Sequence, residues 1–447
     1  MQIEFLKVLK PSDVAVSSAR TCYFPNGLVK VEDSENWVKR DELLKSIFKA
    51  GHHTTLQHTQ ITMLINGMSR HLIWRLLHSH AYYNSEQVSQ RYAKMKLENF
   101  VYPKNSDKQE WQKFYEDKFN DYEKLIEILT PDIKEKLPKF KKREAKKKAQ
   151  EMARYILPVG MSAYLYHSVN VITLLRYISV APHLPEAREE AMEFAKLIEE
   201  KLLELDSSLA PLIEYAKKSK PTFPKNDLTN IKEKLNIKDE IVKVFDVTQP
   251  LEYEINENYG DILRNSQMFY DGAVLGGFTS YIKLSLSADA QNQRHRRSFA
   301  IRPKINLNRN FYIPPIIKAN EEALKIYKNA NINSYDFIEQ QMKKIDFSEA
   351  IYGLLNSHNI EIIERNDFSS FHHKAQMRLC LNAQEEIFDV TYAQVEGLRE
   401  LNVKNIDNFL PPCNIRAKLN LRPICPEGNR FCGVKVWKLN FKELKNK

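Results

Sequence analysis

The densest chemical signal in the chain is Arg294-His295-Arg296-Arg297, which closely follows Gln291. On a helix, Gln291, Arg294 and His295 stand at i, i+3 and i+4 and share a face. Guanidinium groups stay charged and present planar, bidentate donors, so such a face suits a phosphate or pyrophosphate. A solvated basic helix end is the competing reading. A second group, Ser89-x-Arg91-Tyr92, sets a hydroxyl near a guanidinium in a polar loop, where both can hold one phosphate. Its alternative is ordinary loop hydrogen bonding. His52, His53 and His58 in GHHTTLQH have no carboxylate or cysteine at ligand spacing nearby. They fit a loop that places histidine over a ligand better than a metal site. Cys413, Cys425 and Cys432 crowd among proline and glycine turns in PPCNIRAKLNLRPICPEGNRFCGVKVW. Thiolates there suit zinc or an iron–sulfur cluster, with Cys380, His372 or His373 as a fourth ligand. The spacing matches no standard finger, and buried structural thiols or a redox-active thiol are the other readings.

The elements that must position these groups fall into two runs. QIEFLKVL reads as a strand, and SENWVKRDELLKSIFKAG as a helix with Trp37, Leu43, Leu44, Ile47 and Phe48 apolar and Gly51 placed to stop it. TQITMLING reads as a strand, followed by a helical run from Ser69 to His80 with Leu72, Leu76 and Leu77 on one face. Residues 108–156 read as long charged helices, including the basic run around 134–149, and 160–205 as a second helical region. SKPTFPKNDLTN, with two prolines among polar residues, is the linker candidate. Beyond it KDEIVKVFDVT restarts as a strand, SQMFYDGAVLGGFTSYIKLSLSADAQNQRHRR reads as helical, and 335–400 as further amphipathic helix. The same order of elements recurs, so a duplication is expected, with domains at 1–220 and 221–447.

Bulk properties limit the classes that remain. The 447 residues are 43% hydrophobic and 28% charged with 12 Gly and 19 Pro, which excludes disorder over most of the length. No apolar run reaches the ~18–20 residues that span a bilayer. The start MQIEFLKVLKPSD lacks a secretory signal, and five cysteines suggest no disulfide framework. A cytoplasmic, reduced protein is therefore expected. The net charge of +10 suits phosphate-bearing ligands or nucleic acid, although lysine-rich helix faces serve solubility equally well.

Taken in order, the motifs resemble those of the flavin-dependent thymidylate synthases, whose signature is Arg-His-Arg, seven residues, then Ser, usually followed by x-Arg-Tyr. The first half matches through SSARTCY, GHHTTLQH, MSR at 68–70, VSQRY at 88–92, ARYILP at 153–158 and Val169-Asn170. The second matches through AQNQRHR at 290–296, AIYGLL at 350–355 and MRLCLNAQEEI at 377–387. The resemblance implies an α+β fold of two tandem domains, each a small sheet flanked by long helices. It also implies FAD as cofactor, dUMP as substrate, methylenetetrahydrofolate as carbon donor and NADPH as reductant. Two fused copies would dimerise into the four-domain arrangement of the family's tetramer. Ser89 and Arg91 carry over as catalytic, His52, Asn170, Arg294, His295 and Arg296 as flavin-binding, and Arg154 and Gln291 as nucleotide-binding.

Neither half keeps the whole pattern. His78-Ser79-His80 replaces Arg-His-Arg in the first half, eight residues precede Ser89, and Arg75 replaces the upstream glutamine. Asn-x-Arg becomes Asn170-Val171-Ile172. The second half lacks Ser-x-Arg-Tyr and has Ile351 in place of Arg154. An arginine that the family uses on the pyrimidine is Phe388 in the second half and Met192 in the first. Either the halves divide the labour, or the substrate differs. The expected function is reductive methylation of dUMP to dTMP. The alternatives are a flavoprotein acting on another pyrimidine, including one within nucleic acid, and an inactive nucleotide- or nucleic-acid-binding protein.

Overall fold

Alternating burial builds the first sheet. In strand β2 (Gln60–Ser69) Ile61, Met63 and Ile65 turn inward, and in β4 (Ser162–Asn170) so do Ala163, Leu165, His167 and Val169. With β1 (Gln2–Phe5) and β3 (Asn84–Gln87) they form an antiparallel sheet of order β1-β2-β4-β3. The second sheet repeats that order as β5 (Val242–Thr248), β6 (Gly277–Ser285), β8 (Asn359–Asp367) and β7 (Phe299–Ile301). A computed structural model describes residues 1–91, 93–136, 142–221, 228–250 and 276–445. The chain divides into two units, Met1–Pro224 with Lys325–Leu355, and Lys225–Leu324 with Asn356–Lys447.

In the first unit, the helices Val171–Val180 and Arg188–Leu205 cover the sheet, and Lys108–Lys136 and Lys142–Ala153 form a long pair. The helix Glu321–Gln341 contributes its length from Lys325 onward to this unit, where Gln341 accepts from Trp111 Nε1 at 3.1 Å and Phe337 stacks on Phe114 at 4.1 Å. The segment after it returns along Pro158–Gly160, with Val159 N–H on Leu354 O (2.7 Å) and Gly160 N–H on Tyr352 O (3.0 Å). Only glycine fits at 160, because a Cβ there would lie 2.6 Å from the Tyr115 hydroxyl and 2.8 Å from Tyr352 Cβ. In the second unit, Phe278, Phe368, Phe371 and Val395 form the main core between the sheet and the helices Phe368–Arg378 and Glu385–Glu400.

Several expectations change. The helix expected through SENWVKRDELLKSIFKAG breaks at residues 36–39, with Val38 fully exposed, and resumes as Arg40–Lys49. It ends as expected at Gly51, whose φ is +81°. Three segments expected as helix, at the start of 160–205, around 277–285 and within 335–400, are strands β4, β6 and β8. In β4 the signal is period two rather than 3.6, with Tyr164 and Tyr166 outward. In β6 nearly every residue is buried, so the strand has no polar face to reveal its period. Tyr92, residues 222–227 of the linker candidate, 266–275 of the small-residue stretch and 137–141 of the basic run lie outside the described residues. Among the described residues, no helix is long and apolar enough to cross a membrane.

Candidate functional sites

Each sheet ends its second strand in the same device. Ser69 closes β2 and accepts the Leu72 N–H (3.0 Å), while its own N–H and hydroxyl donate to the two oxygens of Glu190 at 2.7 and 2.5 Å. Ser285 closes β6 and accepts the Ala288 N–H (3.0 Å), while its N–H and hydroxyl donate to Glu386 at 2.6 Å each. A serine N-cap thus starts each following helix and is itself fixed by a buried carboxylate. In the first unit the Tyr352 hydroxyl also donates to Glu190 at 2.7 Å. Burial lifts Glu190 to about 7 against these hydrogen bonds, with Glu349 adding to the rise.

The first site gathers Arg70, on the turn after Ser69, with residues that follow β3 and residues at the end of the helix Lys142–Ala153. Arg70 lies half-buried with Nη2 on Val88 O at 2.6 Å, and desolvation together with nearby Arg154 lowers it to about 9. Arg91 Nε meets Glu151 at 2.5 Å, Lys148 Nζ meets the other oxygen of Glu151 at 2.8 Å, and the Ser89 hydroxyl accepts the Arg91 N–H at 3.2 Å. Burial would raise Glu151, yet Lys148, Arg91 and Arg154 hold it below the usual carboxylate range. Ser89, Arg91 and Arg154 therefore share one cationic neighbourhood, which suits a phosphate. Arg75, at the family's glutamine position, pairs instead with buried Glu186 at 2.5 Å. His52 stands exposed at the head of the turn His53–Gln57, and Asn170 caps the helix Val171–Val180 by accepting from Thr173 N–H (3.0 Å).

The second site follows Ser285. The short helix Leu286–Asn292 delivers Gln291, whose Nε2 donates to Gln384 Oε1, and then Arg294-His295-Arg296-Arg297. His295 is buried, whereas Arg296 and Arg297 are exposed and Arg294 is half-buried. Arg378 Nε donates to His295 Nε2 at 2.8 Å, and its Nη2 to Gln291 O at 2.9 Å. Burial, then Arg378 and Lys374, hold His295 well below the usual histidine range, so it is a neutral acceptor. Beneath lies a fully buried pair, Lys374 Nζ to Glu364 at 2.6 Å, with Asn292 Nδ2 (2.6 Å) and Asn366 Nδ2 (2.8 Å) also on Glu364. The Arg91–Glu151 and Arg378–His295 contacts escaped sequence reasoning, because the partners lie 60 and 83 positions apart along the chain. The Ser–Glu pairs were detectable by aligning REEAMEF with QEEIFDV.

Two further groups of residues complete the description. Phe388 is a core residue stacked with Tyr392 at 6.1 Å, and Met192 is 42% exposed, so no guanidinium stands at either place. Cys413, Cys425 and Cys432 form no disulfide and pack on the apolar core of the second unit, with Cys413 buried and the other two partly buried. Burial, with neighbouring Cys380, Cys425 and Cys432, pushes Cys413 up to about 12, which keeps it a neutral thiol. Among the described residues, no group of three or more His, Cys, Asp or Glu is placed to hold a metal ion.

Comparison with known proteins adds three findings. The family described as "Thymidylate synthase complementing protein" matches residues 4–206 and 275–401, well over half of the chain. A flavin-dependent thymidylate synthase from Clostridium tetani is 26% identical over 170 residues, 37% of this chain and 68% of that protein. Among solved structures, a UMP/dUMP methylase from Streptomyces cacaoi bound with 5-Br dUMP aligns over 49% of this chain and 97% of its own, at 17% identity and a TM-score of 0.38. Thymidylate synthase X from Helicobacter pylori with FAD and dUMP covers 49% of this chain and 100% of its own, at 18% identity and a TM-score of 0.35.

Proposed function

Because the chain belongs to the thymidylate synthase complementing protein family, we propose that it is a flavin-dependent enzyme that methylates dUMP to dTMP with methylenetetrahydrofolate and NADPH. The observation that carries the reading is the pair of cationic groups, Arg70 with Arg91 and Arg154 in the first unit and Arg294 with Arg296 in the second, in two units that each fix a strand end by a Ser–Glu pair. The residues of the second site fit FAD: exposed Arg296 and half-buried Arg294 offer charged donors for its pyrophosphate beside a neutral His295. When bound, FAD supplies the hydride that reduces the methylene carried by the pyrimidine.

The chain's own residues bind and orient. Ser89, Arg91 and Arg154 hold the nucleotide phosphate, with Glu151 fixing the Arg91 guanidinium before the ligand arrives. Arg378 fixes His295 and the Gln291 carbonyl, and so the direction in which Arg294 and Arg296 leave the turn. Two copies in tandem, acting as a homodimer of four domains, account for the repeated strand order and the repeated serine cap.

A second reading, a flavoprotein acting on another pyrimidine, is favoured by one observation. The family's pyrimidine arginine is absent from both halves, and Phe388 fills its place with core. Tritium release from 5-tritiated dUMP, with FAD, NADPH and methylenetetrahydrofolate supplied, separates the two. Release that requires all three supports dUMP methylation. Flavin reduction by NADPH without release from dUMP would move the reading to another pyrimidine.

A further inference from the structure

The two halves place different chemistry at one structural position. His78-Ser79-His80 stands at the same remove from Ser69 as Arg294-His295-Arg296 does from Ser285. In the second half this segment points charge outward: Arg296 and Arg297 are exposed, and the buried pair below, Lys374 and Glu364, is satisfied within itself and by amides. The residues at the matching places in the first half are Tyr177 and His167, set from the helix cap Asn170 as Lys374 and Glu364 are from the cap Asp367. They do not close on each other alone. His80 lies 2.7 Å from the Tyr177 hydroxyl through its Nε2, and His167 Nε2 lies 3.0 Å from the same oxygen. His78 stacks on Tyr83 at 4.6 Å, and Tyr83 on His167 at 5.7 Å. His78, Tyr83, His167 and Tyr177 are all at most 3% exposed.

An anionic dinucleotide needs charged donors at the place it binds. The first-half segment has no guanidinium, and its imidazoles are engaged with a tyrosine hydroxyl and stacked rings. Burial and nearby Arg176 hold His80 down at about 4, so it adds no positive charge at neutral pH.

We infer that each chain takes up one flavin, on the Arg294–Arg296 segment, and that the equivalent place in the first half is a closed histidine–tyrosine cluster that admits none. This rests on the flavoenzyme reading above and goes beyond it in fixing stoichiometry and location. The first half then serves the reaction through its Ser89, Arg91 and Arg154 neighbourhood only.

The test saturates the full-length protein with FAD, removes unbound flavin by desalting, and compares flavin absorbance near ~450 nm with protein from amino-acid analysis. One flavin per chain is expected, kept in Tyr177→Phe and in His80→Phe, and lost in Arg294→Ala/Arg296→Ala. Arg296→Ala alone, at an exposed side chain, guards against misfolding and should weaken FAD binding at least tenfold. Two flavins per chain, falling to one when the His78–His80 segment is altered, would overturn the inference. One flavin that survives Arg294→Ala/Arg296→Ala in folded protein would overturn it as well. No flavin at all in the unaltered protein would instead sink the flavoenzyme reading on which it rests.

Discussion

At the scale of single residues, charge is distributed by partners that lie far away in sequence. Arg75 and Arg91 are both arginines on the same stretch, yet Arg75 is committed to Glu186, whereas Arg91 shares Glu151 with Lys148 beside Arg154. Three cations gathered around the single Glu151 carboxylate suit a phosphate. Replacing Arg91 with alanine should therefore weaken dUMP binding by about 10–100-fold, of order 1.5–3 kcal/mol for a charged hydrogen bond. Calorimetric titration checks this, with Arg91→Lys expected to restore part of the loss. In the second unit, Arg378→Ala removes the donor on His295. The His295 resonance should then titrate at a higher pH than in the parent, though still below an ordinary histidine, because burial is the larger cause. An unchanged titration by NMR would separate Arg378 from the site. Sequence motifs named Ser89, Arg91, Arg154, Gln291 and Arg294–Arg296. The carboxylates that decide which arginine is available could not be read, since contact in space sets that.

At the scale of elements, a Ser–Glu pair fixes a strand end in each unit, and in the first unit Tyr352 joins that pair. Glu190 is about 7 in the folded protein, above the ordinary carboxyl value of 4.5, so the folded state binds its proton more tightly than the unfolded chain does. Its contribution to stability is full below the unfolded value and declines as pH rises through about 7. Glu190→Gln should flatten that decline, narrowing the fall in melting temperature between pH 5 and 8. A decline of the same size in the variant would remove Glu190 as its source. Gly160→Ala drives a methyl into Tyr115 and Tyr352 and should cost about 1–3 kcal/mol, read from denaturant unfolding. Element existence was legible wherever burial leaves one polar face, as in the charged helix Lys108–Lys136. Strand β6 was not, because a strand buried on both faces and a buried helix look alike in sequence.

At the scale of the whole molecule, sequence order and spatial membership part company. The helix residues from Lys325, which follow the second-half motifs, pack in the unit built by the first half, with Tyr327, Ala330 and Ile338 fully buried there. A protease site engineered after Lys220 should thus give two fragments that stay together under native conditions and separate only in denaturant. Fragments that part on gel filtration without denaturant would contradict the assignment of Lys325–Leu355 to the first unit.

What the sequence determined alone is the family resemblance and the residue types able to hold phosphate and flavin. Those follow from local spacing, and local spacing is preserved in the chain. The tertiary structure alone decided which side chains meet: Glu190 with Ser69 and Tyr352, Arg378 with His295, and His80 with Tyr177. The physical reason is that burial and electrostatics act through space over a few ångströms, between residues that here lie 83 to 162 positions apart along the chain.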